Sequence, residues 1–192
     1  MLRSEGYALI EGLGEKAVRM ARIANSMLVS GQRSADREQK HLRADSERAF
    51  LTLVEGLFAA SCAAGERGAM VHLGGALRRV TDAAAETAML LRGRNVRMWA
   101  LFDRVRMSVA QTERLSYLLQ RGRKGADANE DLRDFCERSI RLSELEEQSF
   151  EKMLEEGERE VAIFLSSSLG EWRVALAEAF DAAIALRLEF GA

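Results

Sequence analysis

The sequence predicts an all-α protein, a six-helix bundle made of two tandem three-helix units. The 192-residue chain contains no proline, the residue that most strongly interrupts helices. Apolar residues recur every three or four positions along most of the chain, which places them on one face of a helix. No segment alternates between apolar and polar residues over the length of a strand. A content of 47% hydrophobic residues is sufficient for a globular core.

The first three predicted helices occupy residues 1–94. The first ends at Gly31, the second extends from about Ala35 to the glycine-containing stretch 65–68, and the third extends from about Ala69 to Gly93. Gly74 and Gly75, inside the third helix, predict a close crossing with another helix. The predicted core positions are Ile10, Leu13, Ala17, Met20, Ala24 and Met27 in the first helix, Leu42, Ala49, Phe50, Leu53, Leu57 and Phe58 in the second, and Leu73, Ala76, Val80, Ala83 and Leu90 in the third.

The other three predicted helices occupy residues 95–192. The fourth ends in the basic stretch 121–125. The fifth begins near Asn129, a good N-capping residue, and continues to about Leu165; the sixth follows the serine- and glycine-rich stretch 166–170. The predicted core positions are Met98, Leu101, Val105, Thr112, Leu115 and Leu119 in the fourth helix and Trp172, Leu176, Ala179, Ala183, Leu186 and Phe190 in the sixth.

The two halves of the chain resemble each other in sequence. The second helix aligns with the fifth at an offset of 100 residues, with Leu42, Glu47, Phe50 and Glu55 repeated, and the third aligns with the sixth at an offset of 99. The first aligns more loosely with the fourth. Amphipathic helices can share leucine and glutamate through their period alone, but three helices aligning in the same order predict a duplication. We expect units 1–94 and 95–192 to pack together as one compact domain.

The sequence also predicts a cytoplasmic protein. We expect no signal peptide, and the longest apolar run, residues 51–64, is too short to span a bilayer and contains Glu55. The two cysteines, Cys62 and Cys136, lack metal-ligand spacing, so we expect them to be reduced and buried as small hydrophobic residues.

Charge is unevenly distributed along the chain. Residues 1–126 contain 21 basic and 13 acidic side chains, whereas residues 127–160 contain 13 acidic and 5 basic ones. A solvated acidic face explains this pattern, and a surface for a basic partner is the alternative. The basic stretches lie at opposite ends of the fourth helix, about 40 Å apart, and no aromatic residues interleave with them. We therefore expect no nucleic-acid binding.

Residue types that carry catalysis are not arranged in any recognisable motif. The chain has two histidines and lacks a nucleophile elbow, a phosphate-binding glycine loop and a CxxC motif. These observations predict a non-enzymatic protein without an organic cofactor.

One set of side chains could bind a divalent metal ion. His41 and Asp45 lie one turn apart on the second predicted helix, with Glu38 one turn earlier, and Asp82 and Glu86 lie one turn apart on the third. If the two faces meet, oxygen ligands with one imidazole would suit Fe, Mn or Zn. The alternative is that Asp82 forms an ordinary ion pair with Arg78 and that His41 lies at the surface.

Asp181 lies within a second apolar stripe of the sixth predicted helix, between Val174 and Ala177 on one side and Ile184 and Leu188 on the other. Because a buried carboxylate is costly without a partner, we expect Asp181 to pair with an arginine. A solvated position and a role as a metal ligand are the alternatives.

Three short motifs lie in the second and third predicted helices: HLRAD at 41–45, LVEGLF at 53–58 and ALRRVTD at 76–82. They resemble motifs of the PhoU superfamily, above all its Pit-accessory branch of phosphate-transport regulators. That branch carries E-x-x-A-D and then L-x-x-L-F in the second helix, and L-D-D-x-x-D in the third. The acidic pairs of the family are incomplete here, since His41 and Arg78 replace acids in the first half, as do Arg141, Leu145 and Ala177 in the second. The family's metal clusters would retain Asp45, Asp82 and Asp181.

The resemblance implies a PhoU-like bundle of two three-helix units. It also implies a regulatory or accessory protein for inorganic-ion (phosphate) transport that contacts a membrane transporter or sensor kinase at its cytoplasmic face, without inserting into the membrane. Two alternatives remain. One is a ferritin-like metal-binding bundle that uses Glu38, His41, Asp45 and Asp82, and the other is a structural bundle that forms homo-oligomers.

Overall fold

In a computed structural model of the chain, the described residues are 3–30, 36–60, 63–92, 99–122 and 159–190. These residues form five helices and no strand: α1 (Arg3–Ser30), α2 (Asp36–Ala59), α3 (Ala64–Leu91), α4 (Trp99–Gly122) and α5 (Arg159–Phe190). Within the same ranges, no helix combines the length and apolar character needed to cross a bilayer. The all-α helical bundle predicted from the sequence is confirmed.

The helix α3 lies at the centre of the bundle. It packs most extensively on α5 and α1 and also contacts α2, while α1 contacts α2 and α4, and α4 contacts α5. The two predicted units, 1–94 and 95–192, are therefore joined by α3 on α5 and by α1 on α4. The duplication itself stays a prediction, as does the six-helix count, since most of the predicted fifth helix lies outside the described residues.

Most predicted core positions are buried. The whole predicted stripe of α1 is buried, as are Leu42, Leu53 and Leu57 of α2. Phe58 is an exception, because 68% of its surface is exposed. The prediction of Phe58 as a core residue is wrong. Among the described helices, α2 packs on α1 and α3, and Phe58 lies on the side of α2 that faces away from both. Cys62 and Cys136 lie outside the described residues.

The predicted close crossing at Gly74 is confirmed. A methyl group at Gly74 would lie 2.6 Å from Leu53 Cδ2 of α2 and 3.5 Å from Leu13 Cδ1 of α1. A larger residue here would displace the side chain of buried Leu53, whereas its distance to Leu13 is that of an ordinary van der Waals contact.

The predicted break at 166–170 is wrong, because α5 continues as one helix through this stretch. Serines and glycine favour turns locally, but here the packing of the helix decides. Leu165, Leu169 and Trp172 are buried on one face of α5. Ser168 is also buried, and its hydroxyl lies 2.7 Å from Thr87 Oγ1 and donates to the carbonyl of Ala83 at 3.2 Å, which satisfies a polar group that would otherwise favour a turn.

The crossing at α3 predicts opposite effects for two glycine substitutions. Gly74→Ala should lower the free energy of unfolding by about 1–2 kcal/mol, because overpacking of about 1–3 kcal/mol exceeds the helix-propensity gain of about 0.5–1 kcal/mol. Gly68→Ala is the matched control, since nothing lies within 4 Å of the position that its added methyl group would take. It should stabilise the protein by about 0.5–1 kcal/mol. Chemical denaturation measures both changes, and equal effects of the two substitutions would contradict the crossing.

The continuity of α5 predicts the effect of a proline at Ser167, an exposed residue within the stretch 166–170. Ser167→Pro should destabilise the protein by about 3 kcal/mol or more, because it removes a helical hydrogen bond and clashes with the preceding turn. Ser167→Ala, the control, should change stability by less than about 0.5 kcal/mol. If the proline variant unfolded at the same denaturant concentration as wild type, the helix would have to break where the sequence predicts.

Candidate functional site

An open groove on the surface of α1 and α2 contains the candidate metal-binding side chains predicted on α2. Its volume is about 430 Å³. It is lined by Arg19 of α1 and by Arg37, Glu38, His41, Leu42 and Asp45 of α2. The helical spacing of three and four residues places Glu38, His41 and Asp45 along one side of α2, as the sequence predicts.

The two carboxylates of the groove are each bonded to an arginine. Arg19 Nη2 of α1 donates to Glu38 Oε1 at 3.0 Å, and Arg48 donates to Asp45 one turn away on α2. The hydrogen bond from Arg48 holds the pKa of Asp45 below its ordinary value, since it stabilises the ionised carboxylate. His41 is exposed. The groove therefore combines both signs of charge.

Asp82 lies on the neighbouring face of α3 and is joined to α2 through arginines. Arg43 Nε donates to Asp82 Oδ1 at 3.0 Å. Arg78 lies 4.0 Å from the other carboxylate oxygen of Asp82 and 3.6 Å from Glu47 Oε1. The predicted Arg78–Asp82 pair is present. The faces of α2 and α3 thus meet through alternating acidic and basic side chains.

The residues proposed as metal ligands are only partly brought together. His41 and Asp45 share the groove, Asp82 and the exposed Glu86 lie on α3, and Asp181 lies on α5. In the five described ranges, no three His, Cys, Asp or Glu side chains are grouped so that they could hold a metal ion. Binding of Fe, Mn or Zn by these residues stays a prediction, and the arginines would have to release Asp45 and Asp82 first.

The expectation that Asp181 pairs with an arginine is wrong, and the alternative of a solvated position is confirmed. Asp181 is exposed, as are Val174 and Ala177 of the same predicted stripe, and Ile184 is half-buried. Asp181 is exposed because α5 packs into the core through its opposite face, which carries the buried Trp172. The second stripe is therefore a surface feature, and its carboxylate remains solvated.

This surface stripe, which we call the α5 stripe, is longer than the sequence predicts. Its residues repeat at helical spacing over 21 positions, about 32 Å of helix, and lie within a sector of about 100°. All are exposed: Glu160, Ile163, Phe164, Glu171, Val174 and Asp181. Ile163 and Phe164 expose 49% and 61% of their surface. Apolar and acidic residues at helical spacing could have predicted the α5 stripe. The predicted helix break at 166–170 divided that pattern in two.

A second feature is a row of buried polar side chains on the core face of α4, of which the sequence predicts Thr112 alone as a core position. Arg104 is 1% exposed and donates to the backbone carbonyl of Ser166 at 3.3 Å, and Trp172 Nε1 donates to Thr112 Oγ1 at 3.1 Å. The other members of the row are Ser108, Gln111 and Ser116. Their spacing could have revealed them, since they share a face with Leu101 and Val105. The hydrogen bonds of Arg104 and Thr112 fix how α4 lies on α5.

The sequence matches no protein-family model and no curated protein.

The Arg48–Asp45 hydrogen bond predicts a pH effect. An Asp pKa lowered by folding contributes stability above its unfolded value of about 3.9, and that contribution disappears as the pH falls through the lower folded value. Arg48→Ala should raise the folded pKa of Asp45 toward its ordinary value, as measured by NMR titration of the side-chain carboxyl. Arg19→Ala, which removes the partner of Glu38, is the control and should shift the pKa of Asp45 far less. Equal shifts in both variants would contradict the assignment to Arg48.

Proposed function

We propose that this protein is a non-enzymatic accessory or regulatory protein of inorganic-ion transport, in the manner of the PhoU superfamily. It acts by contact with the cytoplasmic face of a membrane transporter or sensor kinase. The observation that carries the proposal is the α5 stripe, an exposed surface that is both acidic and apolar.

The α5 stripe has the chemistry of a protein-binding surface. Phe164 supplies a large exposed aromatic ring, and aromatic residues are enriched among the residues that dominate binding energy. Glu160, Glu171 and Asp181 add negative charge along the same side of the helix. Charges around an apolar centre steer association and select the partner. The surface therefore favours a partner that is basic and carries apolar side chains.

The cytoplasmic face of a membrane protein meets this requirement. Short cytoplasmic loops of membrane proteins are enriched in lysine and arginine, and the residues at the ends of their spanning helices are amphipathic. An acidic helix with exposed phenylalanine and isoleucine is complementary to such loops. The resemblance of segments 41–45, 53–58 and 76–82 to the Pit-accessory branch favours an ion transporter or its sensor kinase as the partner.

Other features of the described residues support a role in binding rather than catalysis. The carboxylates of Glu38, Asp45 and Asp82 are hydrogen-bonded to arginines, which occupy oxygen atoms that a proton-transfer role would need. The buried polar residues of α4 are enclosed by the helices around them. The surface of α5 is the more accessible feature, so we assign the function to it.

Co-purification from native membranes tests this proposal. The full chain serves as bait at physiological salt, and mass spectrometry identifies the bound proteins. We expect an inorganic-ion transporter or a histidine kinase, with recovery that falls as salt is raised. In Glu171→Lys/Asp181→Lys, recovery should fall about tenfold, because like charges would then face each other.

The matched control is Glu86→Lys/Asp103→Lys, which introduces the same change in charge at exposed positions of α3 and α4. It should retain the partner. The proposal fails if no transporter or kinase is recovered at physiological salt, or if both double variants lose the partner equally, which would make the effect one of net charge alone.

A further inference from the structure

A second exposed surface lies on the outer side of α2. Five residues at spacings of four, three, four and three form it: Ala44, Arg48, Leu51, Glu55 and Phe58. All five are exposed, and Leu51 and Phe58 expose 51% and 68% of their surface. The row spans 14 residues, about 21 Å of helix. We call it the α2 face.

Contacts within the chain leave the α2 face accessible. The helix packs on α1 and α3 through its other side, with Leu42, Leu53 and Leu57 buried. Arg67 approaches the ring of Phe58, with its guanidinium carbon 5.8 Å from the ring centre, but most of the ring surface remains exposed. Arg48 donates a hydrogen bond to Asp45, and because its guanidinium has five N–H donors, it can also donate to a second carboxylate.

The α2 face is complementary to itself. When two copies of the helix lie antiparallel with Leu51 opposite Leu51, Ala44 of each copy lies opposite Phe58 of the other. Arg48 of each lies near Glu55 of the other, one residue from exact opposition. A small residue then accommodates a large one, unlike charges approach each other, and an apolar pair occupies the centre. A twofold axis generates the Ala44–Phe58 and Arg48–Glu55 contacts twice and the Leu51–Leu51 contact once, as in an isologous interface.

We propose that the protein forms a twofold symmetric homodimer through the α2 face, with Leu51 on the axis. The face is small compared with obligate interfaces, so association depends on protein concentration. This inference does not rest on the proposed function, because the α5 stripe lies on a helix that packs on α3 and α4 rather than on α2.

A charge-reversal cycle tests the pairing. Sedimentation equilibrium of the full chain should show a monomer–dimer equilibrium at physiological salt. Arg48→Glu and Glu55→Arg should each raise the dimer dissociation constant about tenfold or more, because like charges would then face each other twice. Arg48→Glu/Glu55→Arg in one chain should restore dimerisation to within about threefold of wild type. Circular dichroism verifies that each variant remains folded.

Disulfide trapping locates the axis. In a Cys62→Ser/Cys136→Ser background, Leu51→Cys should form a covalent dimer under mild oxidation, because its two copies face each other across the axis. Met89→Cys, with 59% of the native side chain exposed on α3, is the control and should remain monomeric.

Several outcomes overturn the dimer. A protein that is monomeric at the highest soluble concentration excludes it. Failure of the double reversal to restore association indicates that the α2 face meets a different surface, such as the acidic α5 stripe of another copy. Equal cross-linking of Leu51→Cys and Met89→Cys indicates random collision.

Discussion

The close packing of other helices onto α3 is the constraint on which the rest of the bundle depends. α3 contacts α1, α2 and α5, and small residues allow these helices to approach it. Gly74 accepts Leu53 and Leu13, while the buried alanines are Ala76, Ala83, Ala84, Ala85 and Ala88. Because these side chains of α3 are short, its three neighbouring helices pack against it at short interaxial distances. That arrangement determines which sides of α2 and α5 face away from α3, and these sides form the two exposed surfaces.

Arginine determines the chemistry of the surface in the described part of the chain. Arg43 and Arg78 hold Asp82, Arg19 holds Glu38, and Arg48 holds Asp45. Exposed pairs of this kind contribute little stability. Their larger effect is on metal binding, because a guanidinium bonded to a carboxylate occupies oxygen atoms that would otherwise be available as ligands. The neighbouring surfaces of α2 and α3 therefore carry acidic and basic side chains side by side.

The sequence predicts the fold class well because helix period and the absence of proline act locally. The apolar stripe of α1 and the helix crossing at Gly74 could be predicted from the sequence for that reason. The break at 166–170 was wrong because the local preference of Ser168 for a turn is overridden by Thr87 and Ala83, residues more than eighty positions away. Phe58 was wrongly expected inside, and Asp181 wrongly expected to pair, because the apolar period of a helix does not say which of two stripes meets the core. The burial of a helix face also depends on how many helices surround it, and the apolar period of one helix does not give that number.

The two exposed surfaces differ in a way that separates their roles. An antiparallel pair of α5 stripes centred on Glu171 would place Glu171 opposite Glu171 and Glu160 opposite Asp181. Every charged contact would then be repulsive, so this surface disfavours a second copy, which agrees with the basic partner that we propose for it. The α2 face has one charge of each sign, Arg48 three residues before Leu51 and Glu55 four residues after it, and the same operation brings unlike charges together. The charge pattern thus favours the proposed self-association through α2 over self-association through α5. Because the two surfaces lie on different helices, a dimer would present two α5 stripes, and a partner with twofold symmetry could bind both.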